Sequence, residues 1–314
     1  MNSNITLTVA IPTYNGGGTL AQTLESIASQ LLPGVEVLIS DNCSSDSTEQ
    51  ISQGFAERYP AIKYKRQAAN IGYDRNVDFC MRNASGAFVW LLGDDDIILP
   101  GGIAAALNVL ICNPEVGLLF VNYPHSIDVP AKDSGRCLGG DEYFRRTRFK
   151  GGFLSSNVFQ KQLWLKTNIS QYFDSGWIHM GFIVEVASSV ASYVESRALV
   201  DYIRNGTAKM RWGGSGSFIH TGLKLVSIYS RLPRLGYSER IRRMAYLSIK
   251  GGYWKNICIA KAKGFTVSPE LISKFFRLYA DFPSFWFIDL PLLLCPGKVF
   301  QALFFVYKKV SAYR

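Results

Sequence analysis

The sequence predicts an α/β protein, with a mostly parallel sheet flanked by helices and then a helical extension. Three observations carry that prediction. Over residues 1–125, β-branched apolar runs alternate with segments whose apolar residues recur at helical spacing. The connections between them are short and rich in Gly, Pro, Asn and Asp. From Leu223 onward the strand pattern stops, and apolar residues recur between Lys and Arg in a helical rhythm.

The elements follow in order. Residues 6–11 are a β-branched run closed by Pro12. Leu20, Leu24, Ile27, Ala28 and Leu31 then mark a helix that Pro33-Gly34 breaks. Residues 35–40 form a second buried strand. Asp46, with Glu49 three residues on, reads as a capping box that opens a helix to about Arg58. A short strand at 62–65, a helix at 74–83, a strand at 87–92, a helix from Pro100 to about Asn113 and a strand at 116–122 complete the alternation. Residues 126–150 read as a loop-rich insertion ending in a basic run, and residues 151–222 mix Gly, Ser and aromatics without a clear period. There is no internal repeat.

Composition narrows the class. At 314 residues and 48% hydrophobic, the chain is too long and too apolar for a disordered segment or a disulfide-stapled miniprotein. Its six cysteines form no C-x-x-C pair, which argues against a zinc ribbon and suits a reducing cytosol. The amino terminus has no basic segment before its apolar run, so it reads as a strand and not as a signal peptide. Residues 282–295 are the most apolar stretch near the carboxyl end. They are too short to span a bilayer and carry Asp289 and two prolines, which leaves a protein that at most lies on a membrane. Residues 1–200 hold 15 basic and 19 acidic side chains, net −4, whereas residues 201–314 hold 19 and 5, net +14. The two parts therefore suit different partners. The basic part fits an anionic membrane surface or a plain solvated face. It carries no DNA- or RNA-binding motif, so nucleic acid is not an expected partner.

In an alternating parallel sheet, ligands bind outside the carboxyl ends of the strands. The informative loops are therefore 12–18, 41–47, 66–75 and 93–99. The last follows LLGDDD, residues 91–96. Three consecutive carboxylates repel and raise one another's pKa, and a divalent cation relieves that cost; oxygen ligands suit Mg²⁺ or Mn²⁺. A helix N-terminus would also welcome an acid there, but one cap needs one Asp. In SDNCSSDST, residues 40–48, Asp41 and Asn42 stand at a strand tip where a carboxylate can accept from a base imide or a sugar hydroxyl; an Asx turn is the plainer reading. In NIGYDRN, residues 70–76, Gly72 permits an unusual backbone angle and Arg75 can face a phosphate or simply solvent. PTYNGGGTL, residues 12–20, is Gly-rich but has neither the P-loop ending nor G-x-G-x-x-G, which disfavours a kinase, an ATPase or a dehydrogenase.

Together these segments resemble the inverting family 2 glycosyltransferases of the GT-A fold. The resemblance rests on Pro12-Thr13-Tyr14-Asn15, on Ser40-Asp41-Asn42 with Ser44, Asp46 and Thr48, on Asn70-x-Gly72-x-x-Arg75-Asn76, and on Asp94-Asp95-Asp96. It implies a GT-A catalytic domain over residues 1–222, with a nucleotide-binding half to about 125 and an acceptor half from 126. Residues 223–314 would be a helical, basic, membrane-associating extension. It implies donor contacts from Pro12, Thr13, Tyr14, Asn15, Asp41, Asn42, Asn70, Arg75, Asp94 and Asp95. It also implies that Asp96, with Asp94 as a second candidate, ligates the Mn²⁺ or Mg²⁺ that bridges the diphosphate. A looser likeness, carried by residues 151–164, 175–186 and 210–218, is to bacterial transferases that build O-antigen repeats, abequosyltransferases among them. It implies a nucleotide-diphosphate-sugar donor, a polyprenyl-diphosphate-linked oligosaccharide acceptor and a peripheral place on the inner face of the bacterial plasma membrane.

An inverting transfer needs one base for the acceptor hydroxyl. Relatives carry it after a Glu in the third quarter of the chain, where this sequence has no Glu-Asp pair. His179 stands in roughly that place and has a suitable ordinary pKa, though a hydrogen-bonded core histidine is the plainer reading. Asp174 and Glu185 are the alternatives. Arg211 leads a Gly-Ser-rich stretch that reads either as a loop closing over the donor, with the guanidinium against the diphosphate, or as a connector. His220, just beyond, is a further candidate metal ligand. A non-catalytic nucleotide- or glycan-binding module on the same fold is the competing expectation, and the three intact carboxylates weigh against it.

Overall fold

The structure, a computed structural model, describes residues 6–124, 130, 134–203 and 215–302. The chain divides into two compact units, Met1–Arg204 with Leu235–Tyr237, and Asn205–Arg234 with Ser238–Arg314.

In the first unit, β1 (Leu7–Thr13), β2 (Val35–Asp41), β3 (Ile62–Arg66) and β4 (Phe88–Leu91) run parallel in the order β3-β2-β1-β4. β2 is buried along its whole length, as an interior strand of a two-faced sheet must be, so it reads as a continuous run and not as an alternation. Its Glu36 is accommodated by bonds from Thr8 Oγ1 (2.7 Å) and Lys63 Nζ (2.7 Å). Between the strands lie α1 (Leu20–Ala28), α2 (Thr48–Arg58) and α3 (Tyr73–Asn83). Leu20, Thr23, Leu24 and Ile27 make up the buried stripe of α1, at the helical spacing read from the sequence. The expected capping box on α2 does not form. Asp46 accepts from Thr48 N (3.0 Å) and from Gly17 N (2.9 Å), while Glu49 turns to Arg66 (3.2 Å).

Beyond β4 the chain makes a short β5 (Asp96–Ile98), α4 (Gly102–Cys112) and β6 (Leu118–Asn122). The 126–150 insertion is less loop-like than expected. Its described residues include β7 (Gly135–Cys137) and α5 (Gly140–Thr147). Then come β8 (Asn157–Gln160), α6 (Lys161–Lys166), α7 (Ile178–Val186), β9 (Ser192–Ala198) and β10 (Val200–Tyr202). The full sheet order is β3-β2-β1-β4-β8-β6-β9-β7, and β5 pairs with β10 in a separate ribbon. β8 is antiparallel to both β4 and β6. Its first residue, Asn157, therefore lies opposite the last residue of β4, Leu91. That reversal brings the residues just before β8 to the edge where the loops of β1, β2 and β4 emerge.

The second unit contains α8 (Ser215–Tyr229), α9 (Glu239–Ala262), α10 (Pro269–Tyr279) and α11 (Leu290–Leu294), with a π-helical turn at Phe285–Asp289 before α11. Ser238 and Ser268 cap α9 and α10 through their hydroxyls, which accept from Ile241 N (3.3 Å) and Leu271 N (3.2 Å), and Pro269 occupies the first turn of α10. No helix among the described residues is long and apolar enough to cross a membrane.

Candidate active site

The register of β1 with β2 puts Pro12 beside Ser40 and Thr13 beside Asp41, so the two strands end together. Their loops are then laced by hydrogen bonds. Asn15 N donates to Ser44 Oγ (2.8 Å), Gly16 N to Thr48 Oγ1 (2.8 Å), and Ser45 N to Asn15 Oδ1 (2.9 Å). Tyr14 projects outward, 47% exposed. Gly16 is required by close approach, because a Cβ there would lie 2.4 Å from both Asp94 Oδ2 and Thr13 Oγ1.

Asp41 is fully buried at the tip of β2. Its Oδ1 accepts from Ser44 N (2.9 Å), and its Oδ2 accepts from Tyr64 Oη (2.8 Å) and Arg66 (3.0 Å). Burial, together with that bond to Asp41, raises the Tyr64 phenol. Asn42 joins the second loop to the third: its Nδ2 donates to Asn70 Oδ1 (2.9 Å) and its Oδ1 accepts from Ile71 N (2.8 Å). Gly72, at φ 85°, turns the chain into α3. Arg75 makes a bidentate pair with Asp174 (2.6 and 3.1 Å), and its guanidinium lies 4.8 Å over the Phe173 ring. Next to it, Asp74 accepts from Gly176 N (2.8 Å) and Ile178 N (3.2 Å), so the start of α3 holds the loop leading into α7. Burial raises the Asp74 carboxyl.

Of the three acids after β4, Asp94 and Asp96 are held by different partners. Asp94 Oδ2 accepts from Thr13 Oγ1 (2.6 Å), and its carbonyl accepts from Thr23 Oγ1 (3.1 Å). Asp96, 4% exposed, accepts from Ser155 Oγ, whose hydroxyl oxygen also accepts from Gly93 N (2.8 Å). Burial first, then repulsion from Asp95, Asp94 and Asp201, pushes Asp96 up to about 7. Asp96 makes no ion pair among the described residues. Tyr202 pairs with Asp96 across the β5–β10 ribbon, and Ile203 N donates to the Asp95 carbonyl (2.9 Å).

No group of three or more His, Cys, Asp or Glu is gathered as a ready metal cage among the described residues. Asp94 is held by Thr13 and Asp96 by Ser155. The donor chemistry still fits a hard divalent cation. Mg²⁺ and Mn²⁺ are commonly held by one or two carboxylates, with water and substrate phosphates supplying the rest. An acid driven to about 7 by burial and like charge is the group such an ion would return to its charged form.

His179 lies in α7, 1% exposed. Its Nε2 is 3.2 Å from the Gly152 carbonyl, which can only accept, so Nε2 carries the hydrogen and Nδ1 the lone pair. Nδ1 is buried with no hydrogen-bond partner. Burial pushes the ring down to about 4, against the opposing pull of the Gly152 carbonyl, so it is neutral at pH 7. The alternatives are engaged: Asp174 with Arg75, and Glu185 with Tyr172 Oη and Gln171 Nε2 (3.2 Å). Arg211 lies outside the described residues. His220 is in the second unit, exposed, with its ring 6.2 Å from that of Phe265.

The profile described as "Glycosyl transferase family 2" matches residues 8–178, more than half of the chain. The chain belongs to glycosyl transferase family 2. Among curated relatives, abequosyltransferase RfbV of Salmonella typhimurium is 27% identical over 57% of this chain and 60% of its own length. The GalNAc(5)-diNAcBac-PP-undecaprenol β-1,3-glucosyltransferase of Campylobacter jejuni is 30% identical over 50% of this chain and 52% of its own. The match thus spans little more than half the length of those relatives. Among solved structures, S. aureus TarS with UDP-GlcNAc covers 92% of this chain and 78% of that one at TM-score 0.59 and 16% identity. The Pyrobaculum calidifontis mannosyltransferase PcManGT, solved with GDP-Man and Mn²⁺, covers 93% and 86% at TM-score 0.56 and 17% identity. These likenesses establish the GT-A fold.

Within this family 2 chain, four residues of the site were not singled out from the sequence. Ser155 holds Asp96, Tyr64 and Arg66 hold Asp41, and Thr23 holds the Asp94 carbonyl. The strand-then-loop pattern marks the acids but not their partners. Ser155 is 59 residues from Asp96, and it meets the acid only because β8 is inserted antiparallel.

Proposed function

We propose that this protein transfers a sugar, with inversion, from a nucleotide-diphosphate-sugar donor to a lipid-linked oligosaccharide. The observation that carries the reading is the Thr13–Asp94 bond between the loops of β1 and β4, made beside the Asp41 tip of β2. It joins the two loops that a nucleoside and its diphosphate would span. The lipid-linked acceptor is taken from the name of the Campylobacter relative, and an O-antigen-type product from that of RfbV.

On this reading Thr13, Tyr14, Asp41 and Asn42 hold the nucleoside, with Pro12 and Asn15 shaping the loop that carries them. Arg75 and Asn70 border the nucleotide from the third loop. Asp94 and Asp95 meet the ribose or the sugar. Asp96 would hold Mn²⁺ or Mg²⁺, which supplies charge neutralisation to the departing diphosphate. Ser155 keeps the Asp96 carboxylate oriented. His179 accepts the proton of the acceptor hydroxyl at Nδ1 while Nε2–H stays anchored on Gly152. Of the three candidate bases it is the neutral one with an unpartnered lone pair. The burial of that nitrogen requires neighbouring groups to move as the acceptor enters. A second reading assigns the base to Asp174, whose backbone sits at φ 63° and whose exposed carboxylate is paired with Arg75 of the third loop.

The test is a thermal-shift screen of UDP-, CDP-, GDP- and dTDP-sugars with Mn²⁺, followed by transfer to a polyprenyl-diphosphate glycan. A donor that binds only the folded state raises Tm. Stabilisation by a donor without any transfer or hydrolysis would favour a binding module instead. No stabilisation by any donor would refute the reading.

A further inference from the structure

We propose that the face formed by Phe276, Trp286, Phe287, Ile288 and Leu294 docks the protein on a bilayer surface that carries anionic lipid. All five side chains are exposed, Phe287 most of all at 82%. They all lie within residues 276–294 of the second unit. Phe276, on α10, packs edge-on against Trp286 (5.4 Å between centroids), which begins the exposed run 286–288 in the π-helical turn. Leu294 is the outward residue at the end of α11.

An exposed run of this kind is costly in water and marks an interaction surface. Its chemistry selects the partner. Trp and Phe are the residues that settle at the level of lipid headgroups. Asp289, directly after the 286–288 run, is turned inward at 3% exposure, while the exposed Asp281 between Phe276 and Trp286 lies 3.7 Å from Arg242, which offsets its charge. Bases flank it. Arg277 directly follows Phe276, and Lys298 lies four residues beyond Leu294; both are exposed, and neither makes an ion pair among the described residues. The surrounding sequence, residues 201–314, carries net charge +14, which complements anionic lipid. No described helix can span the bilayer, so the contact is with the surface.

The inference draws on the proposed function only for its context, because a lipid-linked acceptor is found at such a surface; its physics does not depend on catalysis. The experiment uses the full chain without donor. Wild-type protein is sedimented with vesicles of equal parts phosphatidylglycerol and phosphatidylcholine, and with phosphatidylcholine alone. Binding should need phosphatidylglycerol and weaken at high salt. Replacing Phe287 and Leu294 together by Ser should weaken it by about tenfold or more, while Phe287→Trp retains it. Both sites are exposed, and circular dichroism verifies the fold. Arg277→Glu with Lys298→Glu gives a second variant that leaves the apolar face intact and should weaken binding to the anionic vesicles. Absence of wild-type binding, or equal binding by the Ser variant, overturns the proposal. So does a wild-type dimer that the Ser variant dissociates without any vesicle binding, which would make the face a contact between copies. Transfer to a water-soluble short-chain acceptor is measured in parallel. The Ser variant should match wild type there, and a wild-type protein inactive in that assay would fail the functional reading without touching the docking result.

Discussion

Replacing Asp96 by Asn should make the metal-free protein more stable at alkaline pH. The carboxyl is 4% exposed and pushed from an ordinary value of 3.8 to about 7, by burial and then by Asp95, Asp94 and Asp201. The sign follows from linkage. A raised folded pKa means that stability is complete below the unfolded value and is lost as pH rises through the folded one. A shift of about three units corresponds to roughly 4 kcal/mol at pH 8 as an upper bound, falling below about 2 kcal/mol at pH 5. Asn keeps an oxygen that can accept from Ser155 and removes the charge. His179 acts in the opposite sense: its folded pKa is depressed from 6.5 to about 4, so its contribution is present above 6.5 and is lost as pH falls towards 4. In the wild type the two slopes oppose each other between those limits, and Asp96→Asn leaves the histidine slope alone. The assay is urea denaturation followed by circular dichroism, in EDTA, from pH 5 to pH 8. The variant should gain most at pH 8. With Mn²⁺ and a nucleoside diphosphate added, the wild type should gain stability and the variant should not. A variant less stable than wild type at pH 8, or a gain independent of pH, would refute the argument that Asp96 bears an uncompensated charge.

Three further outcomes are expected. Ser155→Ala removes the donor to Asp96 and the acceptor for Gly93 N; it should cost about 1–2 kcal/mol and weaken Mn²⁺ binding, read by calorimetry, by roughly 10–100-fold. His179→Ala should lower kcat by roughly 10²–10⁴, with Asp174→Asn within a few-fold of wild type; the reverse order moves the base to Asp174. Because His179 is held neutral down to about pH 4, kcat/KM should show no acid limb near 6.5. Gly86→Ala should destabilise by about 2 kcal/mol or more in denaturant, since the new Cβ would lie 2.6 Å from Thr8 N and 2.8 Å from the Phe88 carbonyl, both backbone atoms that cannot yield.

Much of the first unit was legible in the sequence, because a parallel sheet repeats one local rule. An apolar run, a turn and an amphipathic helix place every loop after a strand at the same edge, so the positions of Thr13, Asp41 and Asp94 could be read from strand ends. Strand boundaries held to within a residue or two, as at Val35–Asp41 and Ile62–Arg66. β7, β8 and β9 were not legible. Two of them run against the sheet, and all three are short or irregularly patterned, so neither period nor turn chemistry announces them.

The sequence by itself determined the fold class, the four loops at the carboxyl edge and the crowding of three acids after one strand, since each depends on neighbours a few residues apart. Only the tertiary structure decided which partners those acids have, that His179 is buried and neutral, and that Asp289 turns inward behind the exposed apolar run 286–288. Those outcomes depend on pairing and burial between segments tens of residues apart, where local periodicity carries no information.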